Sequence, residues 1–201
     1  MTVSMMTAPS VPQPIRLCLG IAVLAALAAC STPAPRPAPA PEPPPAPVST
    51  AQAGEVILAS ASASLVSGKL NVRPGEGGVF LAGEIGGLTP GSLHAIHIHE
   101  KGDCSAVDAS SAGGHFNPSA NPHGRVGHGP HHGGDMDNIQ ANGEGVAQVN
   151  VHALGVTLGG GAVNDVAGRA VIVHAAADDY ASQPSGNAGK RVACGIIKVT
   201  R

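Results

Sequence analysis

Seven short runs rich in Val, Ile, Leu and Ala recur after residue 54, and none carries the period of an amphipathic helix. They are VILASASASLVS (56–67), KLNVRP (69–74), GVFLAGEI (78–85), LHAIHIHE (93–100), GVAQVNVHA (145–153), RAVIVH (169–174) and RVACGIIKV (191–199). Turn signals such as PGEGG, LTPGS and ANGEG separate them. Short β-like runs at this spacing predict an all-β domain, a sandwich or barrel closed on one core. Two polar, glycine-rich stretches, Lys101–Asn138 and Ala175–Lys190, do not read as strands. Loops longer than about 15 residues usually carry function or are disordered. The net charge of −2 argues against a nucleic-acid partner. Aromatic content of 1%, with no Trp, one Tyr and two Phe, argues against a platform on which bases stack.

The first 53 residues read differently. Arg16 precedes the apolar run LCLGIAVLAALAA (17–29). As a helix it would rise about 20 Å, too little to cross a bilayer. It suits the apolar core of a secretory signal over residues 1–29. The ending LAAC (27–30) resembles the lipobox of bacterial lipoproteins, in which the cysteine is acylated and begins the mature chain. The alternative is an ordinary secretory signal cleaved nearby. Acylation at Cys30 would anchor the chain to a membrane, since each buried CH₂ contributes ~0.8 kcal/mol. Ser31 in place of Asp favours the outer membrane, by resemblance to the lipoprotein sorting rule. Residues 30–53 are then a lipidated cysteine and a proline-rich linker, extended as polyproline II at ~3.1 Å per residue. The folded domain is expected over 54–201. Once Cys18 leaves with the signal and Cys30 takes lipid, Cys104 and Cys194 remain. In an oxidising compartment they could pair, or stay as two buried thiols.

Eight of the 10 histidines lie between residues 94 and 132. On a strand, residues i and i+2 share a face. His97 and His99 should therefore point together, with Ile98 opposed, and His94 should turn to the core side. Paired imidazoles on a rigid strand suit Cu(II) or Zn(II). The stretch GGHFNPSANPHGRVGHGPHHGGDMDN adds His115, His123, His128, His131, His132 and Asp135, a set suited to a borderline-soft dication. In VIVHAAADD, His174 ends a strand and Asp178 and Asp179 follow. A ligating imidazole commonly donates its second N–H to such a carboxylate.

With these motifs in order (GLTPGSLHAIHIHEKGDC, SAGGHFNP, HHGGDM, GRAVIVH and GNAGKRVACGII), residues 54–201 resemble the copper–zinc superoxide dismutases in their bacterial periplasmic form. The resemblance implies a Greek-key antiparallel β-sandwich or flattened barrel with two long functional loops. It implies copper on His97, His99, His115 and His174. It implies zinc on His115, His123, His132 and Asp135, with one of each metal per subunit and His115 shared. Asp178 resembles the aspartate that links His97 to His123, Arg191 the arginine beside copper, and Cys104 with Cys194 the disulfide pair. His128 and His131 are extra, and either could replace His123 or His132. Ala181–Gly189 holds no charged residue, which leaves Arg191 as the recognisable guiding charge.

The activity implied is disproportionation of superoxide to O₂ and H₂O₂ in the cell envelope, with Arg191 and His115 as the catalytic residues. The competing reading is a periplasmic copper and zinc buffer without catalysis. A buffer needs neither a guiding arginine nor a shared histidine. Superoxide and a bacterial membrane are the expected partners, with a homodimer an open possibility.

Overall fold

The computed structural model describes residues 46–200; the signal segment 1–29, Cys30 and the linker up to residue 45 lie outside the described residues. Ten strands follow: β1 (Gly54–Ser60), β2 (Ser67–Gly75), β3 (Gly78–Gly86), β4 (Leu93–His94), β5 (Ile96–His99), β6 (Ile139–Gln140), β7 (Ala147–Leu154), β8 (Ala170–His174), β9 (Arg191–Ile196) and β10 (Lys198–Val199). All pairings between them are antiparallel. The main ladder runs β5-β8-β9-β1-β2-β3-β7, with β10 also on β1, while β4 pairs β6. The order departs from chain order where β9 neighbours β1, where β3 neighbours β7 and where β5 neighbours β8, the last two being the crossings of a Greek key. The expected all-β class and curled antiparallel sheet are what the chain adopts.

Alternation explains the strands. Leu70 and Val72 of β2, Val79 and Leu81 of β3, and Ala147, Val149, Val151 and Ala153 of β7 point into one core, with polar or exposed residues between them. β5 and β8 differ, being buried on both faces. On β8, Val171 and Val173 face the main core, whereas Ala170 and Ile172 meet a second cluster with Ala109, Ala112 and Cys194. The long β5–β6 loop supplies that cover, which is why RAVIVH reads as continuously apolar.

Three runs are interrupted. Val56–Ser67 is not one strand: β1 ends at Ser60, and Ser62 and Ala63 turn with φ of 52° and 56°. The 93–100 run divides at Ala95, whose N–H donates to Ala176 O at 2.9 Å. The 191–199 run divides at Ile197, which is buried in the core and donates its N–H to Arg169 O. Residues ahead of Gly54 also bond to the strand domain. Ser49 Oγ accepts from the Leu158 N–H at 2.9 Å, and Thr50 and Ala51 donate to Leu158 O.

Two loops stand at the site, 100–138 between β5 and β6 and 175–190 between β8 and β9. The first holds one 3-10 turn, Ser110–Ala112. Cys104 in this loop is disulfide-bonded to Cys194 on β9, as expected, across a separation of 90 residues. Closing a loop of that length contributes about 4–5 kcal/mol in the chain-entropy account.

Candidate metal centre

β5 is the foundation. Ile96 and Ile98 enter the core, so His97 and His99 project from the opposite face, with ring centroids 6.5 Å apart. β8 runs beside β5 and ends at His174, whose N–H donates to Ala95 O and whose ring lies 5.0 Å from His97 and 5.7 Å from His99. The first long loop then folds along the free side of β5. Phe116 N–H donates to Ile98 O at 2.8 Å, Ile98 N–H to Gly134 O at 2.9 Å, and His99 faces His115 in an isolated bridge. Gly134 is required here, because a Cβ would overlap the Ile98 carbonyl. This pairing brings the His115 ring to 4.0 Å from His97 and 5.0 Å from His99.

The same ring lies 5.3 Å from His123 and 5.4 Å from His132. Two buried groups result, His97–His99–His115–His174 and His115–His123–His132–Asp135. Within each, the candidate ligand atoms lie within 4.8 Å of one another. His115 belongs to both. His94 is buried as expected, but its ring belongs to neither group: its Nε2 lies 2.7 Å from Ser92 Oγ and its Nδ1–H donates to His174 O. His128 is exposed and His131 donates Nδ1–H to His132 O; neither belongs to either group.

The hydrogen bonds assign the ring atoms. His97 Nε2–H donates to Asp178 Oδ2 at 2.8 Å, His99 Nδ1–H to Gly113 O at 2.9 Å, and His174 Nδ1–H, more weakly, to Gly189 O at 3.4 Å. What remains is buried and without a partner: His97 Nδ1, His99 Nε2, His115 Nε2 and His174 Nε2. Leaving a buried polar atom unmatched costs ~1–3 kcal/mol, so four aimed at one another call for a cation. In the second group, Nδ1 of His115, His123 and His132 converge on Asp135 Oδ1 at 2.8, 3.1 and 3.3 Å. Ligands tetrahedrally placed around zinc are about 3.3 Å apart. Both donor sets therefore fit their metals: four imidazoles for copper, three imidazoles and a carboxylate for zinc.

Electrostatics divide the rings. Burial, then repulsion from His115, pushes His99 down to about 2. Burial lowers His174 to about 3 and, against the pull of Asp135, His115 to about 4. These rings are neutral at physiological pH and present lone pairs. Burial also opposes charge on His123, but hydrogen bonds to Asp135 and Asp178 outweigh it and raise this ring to about 9. The histidines that surround them hold the buried Asp135 and Asp178 well below the usual carboxylate range, again against burial. Asp178 joins the two groups, since its Oδ1 accepts from His123 Nε2–H at 2.9 Å while Oδ2 takes His97.

A cavity of about 410 Å³ opens onto His99, His115, His132 and His174, with Pro184, Ser185, Gly189 and Arg191 on its wall. Arg191 on β9 donates Nη1–H to Ala109 O at 2.7 Å and Nη2–H to Gly113 O at 2.6 Å. Gly113 O thus serves both Arg191 and His99. Three participants were not anticipated from sequence: Gly113, Asn138 and Gln183. Their contributions run through hydrogen bonds to main chain, and no motif or spacing marks them.

A family model described as copper/zinc superoxide dismutase (SODC) matches residues 66–197. The chain is 39% identical over 163 residues to "Superoxide dismutase [Cu-Zn] 2" of Aquifex aeolicus, covering 73% of this chain and 95% of that relative. It is 42% identical over 137 residues to the "Superoxide dismutase [Cu-Zn]" of Caulobacter vibrioides, covering 66% and 78%. The crystal structure of a SOD-like protein from Bacillus subtilis superposes with a TM-score of 0.64 at 34% identity, over 71% of this chain and 96% of that one. A shared imidazole flanked by two donor sets, on a sheet that carries this match, places the chain in the copper/zinc superoxide dismutase family, as an oxidoreductase that uses copper and zinc.

Proposed function

We propose that superoxide is disproportionated at the mouth of the cavity, with copper on His97, His99, His115 and His174 and zinc on His115, His123, His132 and Asp135. Two superoxide anions and two protons give O₂ and H₂O₂. Copper supplies the one-electron exchange by cycling between its two oxidation states. The protein's own groups do the rest. Arg191, a permanent cation fixed by two carbonyls, draws a small anion to the cavity. Asp178 orients the rings of His97 and His123 by accepting from both. His115 lines the cavity, and its Nε2 is buried with no hydrogen-bond partner; this atom is suited to hold a proton whenever it does not hold copper, and to give that proton to the departing product. The single observation that supports this reading is the position of His115, the one ring common to both groups.

The test is His115→Ala in the protein supplied with both metals. Expected are loss of most activity, weaker zinc retention and an altered copper spectrum, while some copper stays on His97, His99 and His174. Metal content, copper spectrum and turnover all equal to the parent chain would refute the assignment.

We also propose that the domain works in the cell envelope, tethered through acylated Cys30. The LAAC ending, the proline-rich segment and a Cys104–Cys194 disulfide suited to an oxidising compartment support this. No helix of the described residues is long and apolar enough to cross a membrane. Cys30→Ser should move the protein from the membrane to the soluble fraction and abolish labelling by a fatty-acid precursor. A variant still labelled and sedimenting with membranes would remove the tether.

A further inference from the structure

His123 lies in irregular chain, between Pro122 and Gly124, and among the described residues no main-chain group bonds to its backbone. Both of its main-chain polar groups are met by one side chain from the other loop. The His123 N–H donates to Gln183 Oε1 at 2.9 Å, and Gln183 Nε2–H donates to His123 O at 2.9 Å. A primary amide facing a peptide unit in this way supplies the two hydrogen bonds that a neighbouring strand would supply. The opposite grip occurs nearby. Asn138, on the first loop, donates Nδ2–H to Asp178 O at 2.9 Å and accepts from Asp178 N–H at 2.8 Å. Between the two grips runs the His123–Asp178 hydrogen bond. Gly186 lies over it so closely that a Cβ there would overlap Asp178 Oδ1 and crowd His123 Nε2.

We propose that Gln183 is a positioning residue for the second metal: its amide fixes the backbone of His123, and thereby aims the ring Nδ1 at the point shared with His115, His132 and Asp135. The inference rests on reading those four residues as the zinc ligands. The charge-free segment 181–189 then has a definite task, to hold a ligand of the other loop. The ring is held at Nε2 by Asp178, but a ring pivoting on that single bond could still swing Nδ1. Two further bonds to the main chain remove that freedom. Partners of this outer kind typically change metal affinity by ~10–100-fold when lost.

The test measures Zn²⁺ affinity by competition with a chromophoric chelator, and the visible bands of Co²⁺ bound at the same position, in the full protein with its disulfide intact. Gln183→Ala is expected to weaken Zn²⁺ binding ~10–100-fold and to alter the Co²⁺ bands. Copper binding should change less than about twofold. Gln183→Glu keeps the acceptor for the His123 N–H but loses the donor to its carbonyl, and should fall between; it also serves if the alanine variant does not fold. Gln148→Ala, which removes an exposed amide bonded to Glu84 at the β3–β7 end of the ladder, should match the parent chain. Gln183 variants with parental Zn²⁺ affinity and Co²⁺ bands would overturn the clamp alone. A parent chain that takes up no Zn²⁺ would overturn the ligand reading and the clamp together.

Discussion

At the scale of single residues, Arg191 separates binding of metals from use of them. Its backbone pairs with His174, its side chain lies on the cavity wall without a hydrogen bond to any ring of either group, and both of its outer nitrogens are held by carbonyls. Losing a charge-assisted contact of ~1.5–3 kcal/mol corresponds to roughly tenfold or more in rate. Arg191→Ala should therefore lower the second-order rate with superoxide by that factor and retain both metals, measured by turnover beside metal content; a fully active variant would take Arg191 out of the mechanism. Most of this chemistry was legible in sequence. His97 and His99 declare themselves by strand parity; the carboxylate that follows His174 serves the rings of His97 and His123 instead of its neighbour, whose Nδ1–H goes to Gly189 O. The amide residues do not. Gln183 and Asn138 act on backbone 60 and 40 positions away, and a glutamine in a polar loop carries no periodicity that could betray such a contact. Nor did residue type settle which of four neighbouring histidines enter the second group; side-chain bonds to their main chain, from Gln183 at His123 and from Asp135 at His132, hold the two that do.

At the scale of elements, the two loops are held down by different means. Besides its grips on the second loop, the first is fastened to the sheet by its pairing along β5, by Arg191 and by Cys104–Cys194. Cys194→Ser should lower stability by about 4–5 kcal/mol. It should also loosen the loop carrying Ala109 and Gly113, so that activity declines more than copper content does; the checks are denaturant unfolding and turnover per bound copper. Equal stability would mean that the reduced chain is already as constrained as the oxidised one. Strand positions followed from alternation, yet Val56–Ser67 breaks where alternation alone predicts continuity. The sequence ASAS has no glycine or proline to mark a turn, and two left-handed residues there are stabilised by tertiary bonds, including Ser62 N–H to Val107 O and Ser64 Oγ–H to Val192 O. Bonds of that span leave no local signature.

At the scale of the whole molecule, the buried rings make the metal-free protein sensitive to pH on both sides. His99, His115 and His174 are depressed, so the unfolded chain binds protons below about 6.5 that the native state refuses until about 4 or lower, and stability falls as pH drops through that window. Asp135 and Asp178, also depressed, add a further loss once pH falls below the ordinary carboxylate value of 3.8. His123 is raised to about 9, so its contribution is present below 6.5 and disappears as pH rises from 6.5 to 9. Melting temperature without metals should peak near pH 6.5 and decline more steeply on the acid side. Zinc affinity should rise with pH up to about 9, as binding displaces the His123 proton; a flat melting profile between pH 4 and 9 would contradict the burial of these rings. The pairing of residues 114–116 and 134 along β5 has a further outcome. β5 ends the ladder, and an uncovered terminal strand offers its peptide groups to any other chain. The stretch that delivers the shared imidazole is therefore also a guard on the barrel's rim, and a chain stripped of its cations and its cystine would bare the sequence IHIH as a template for self-association.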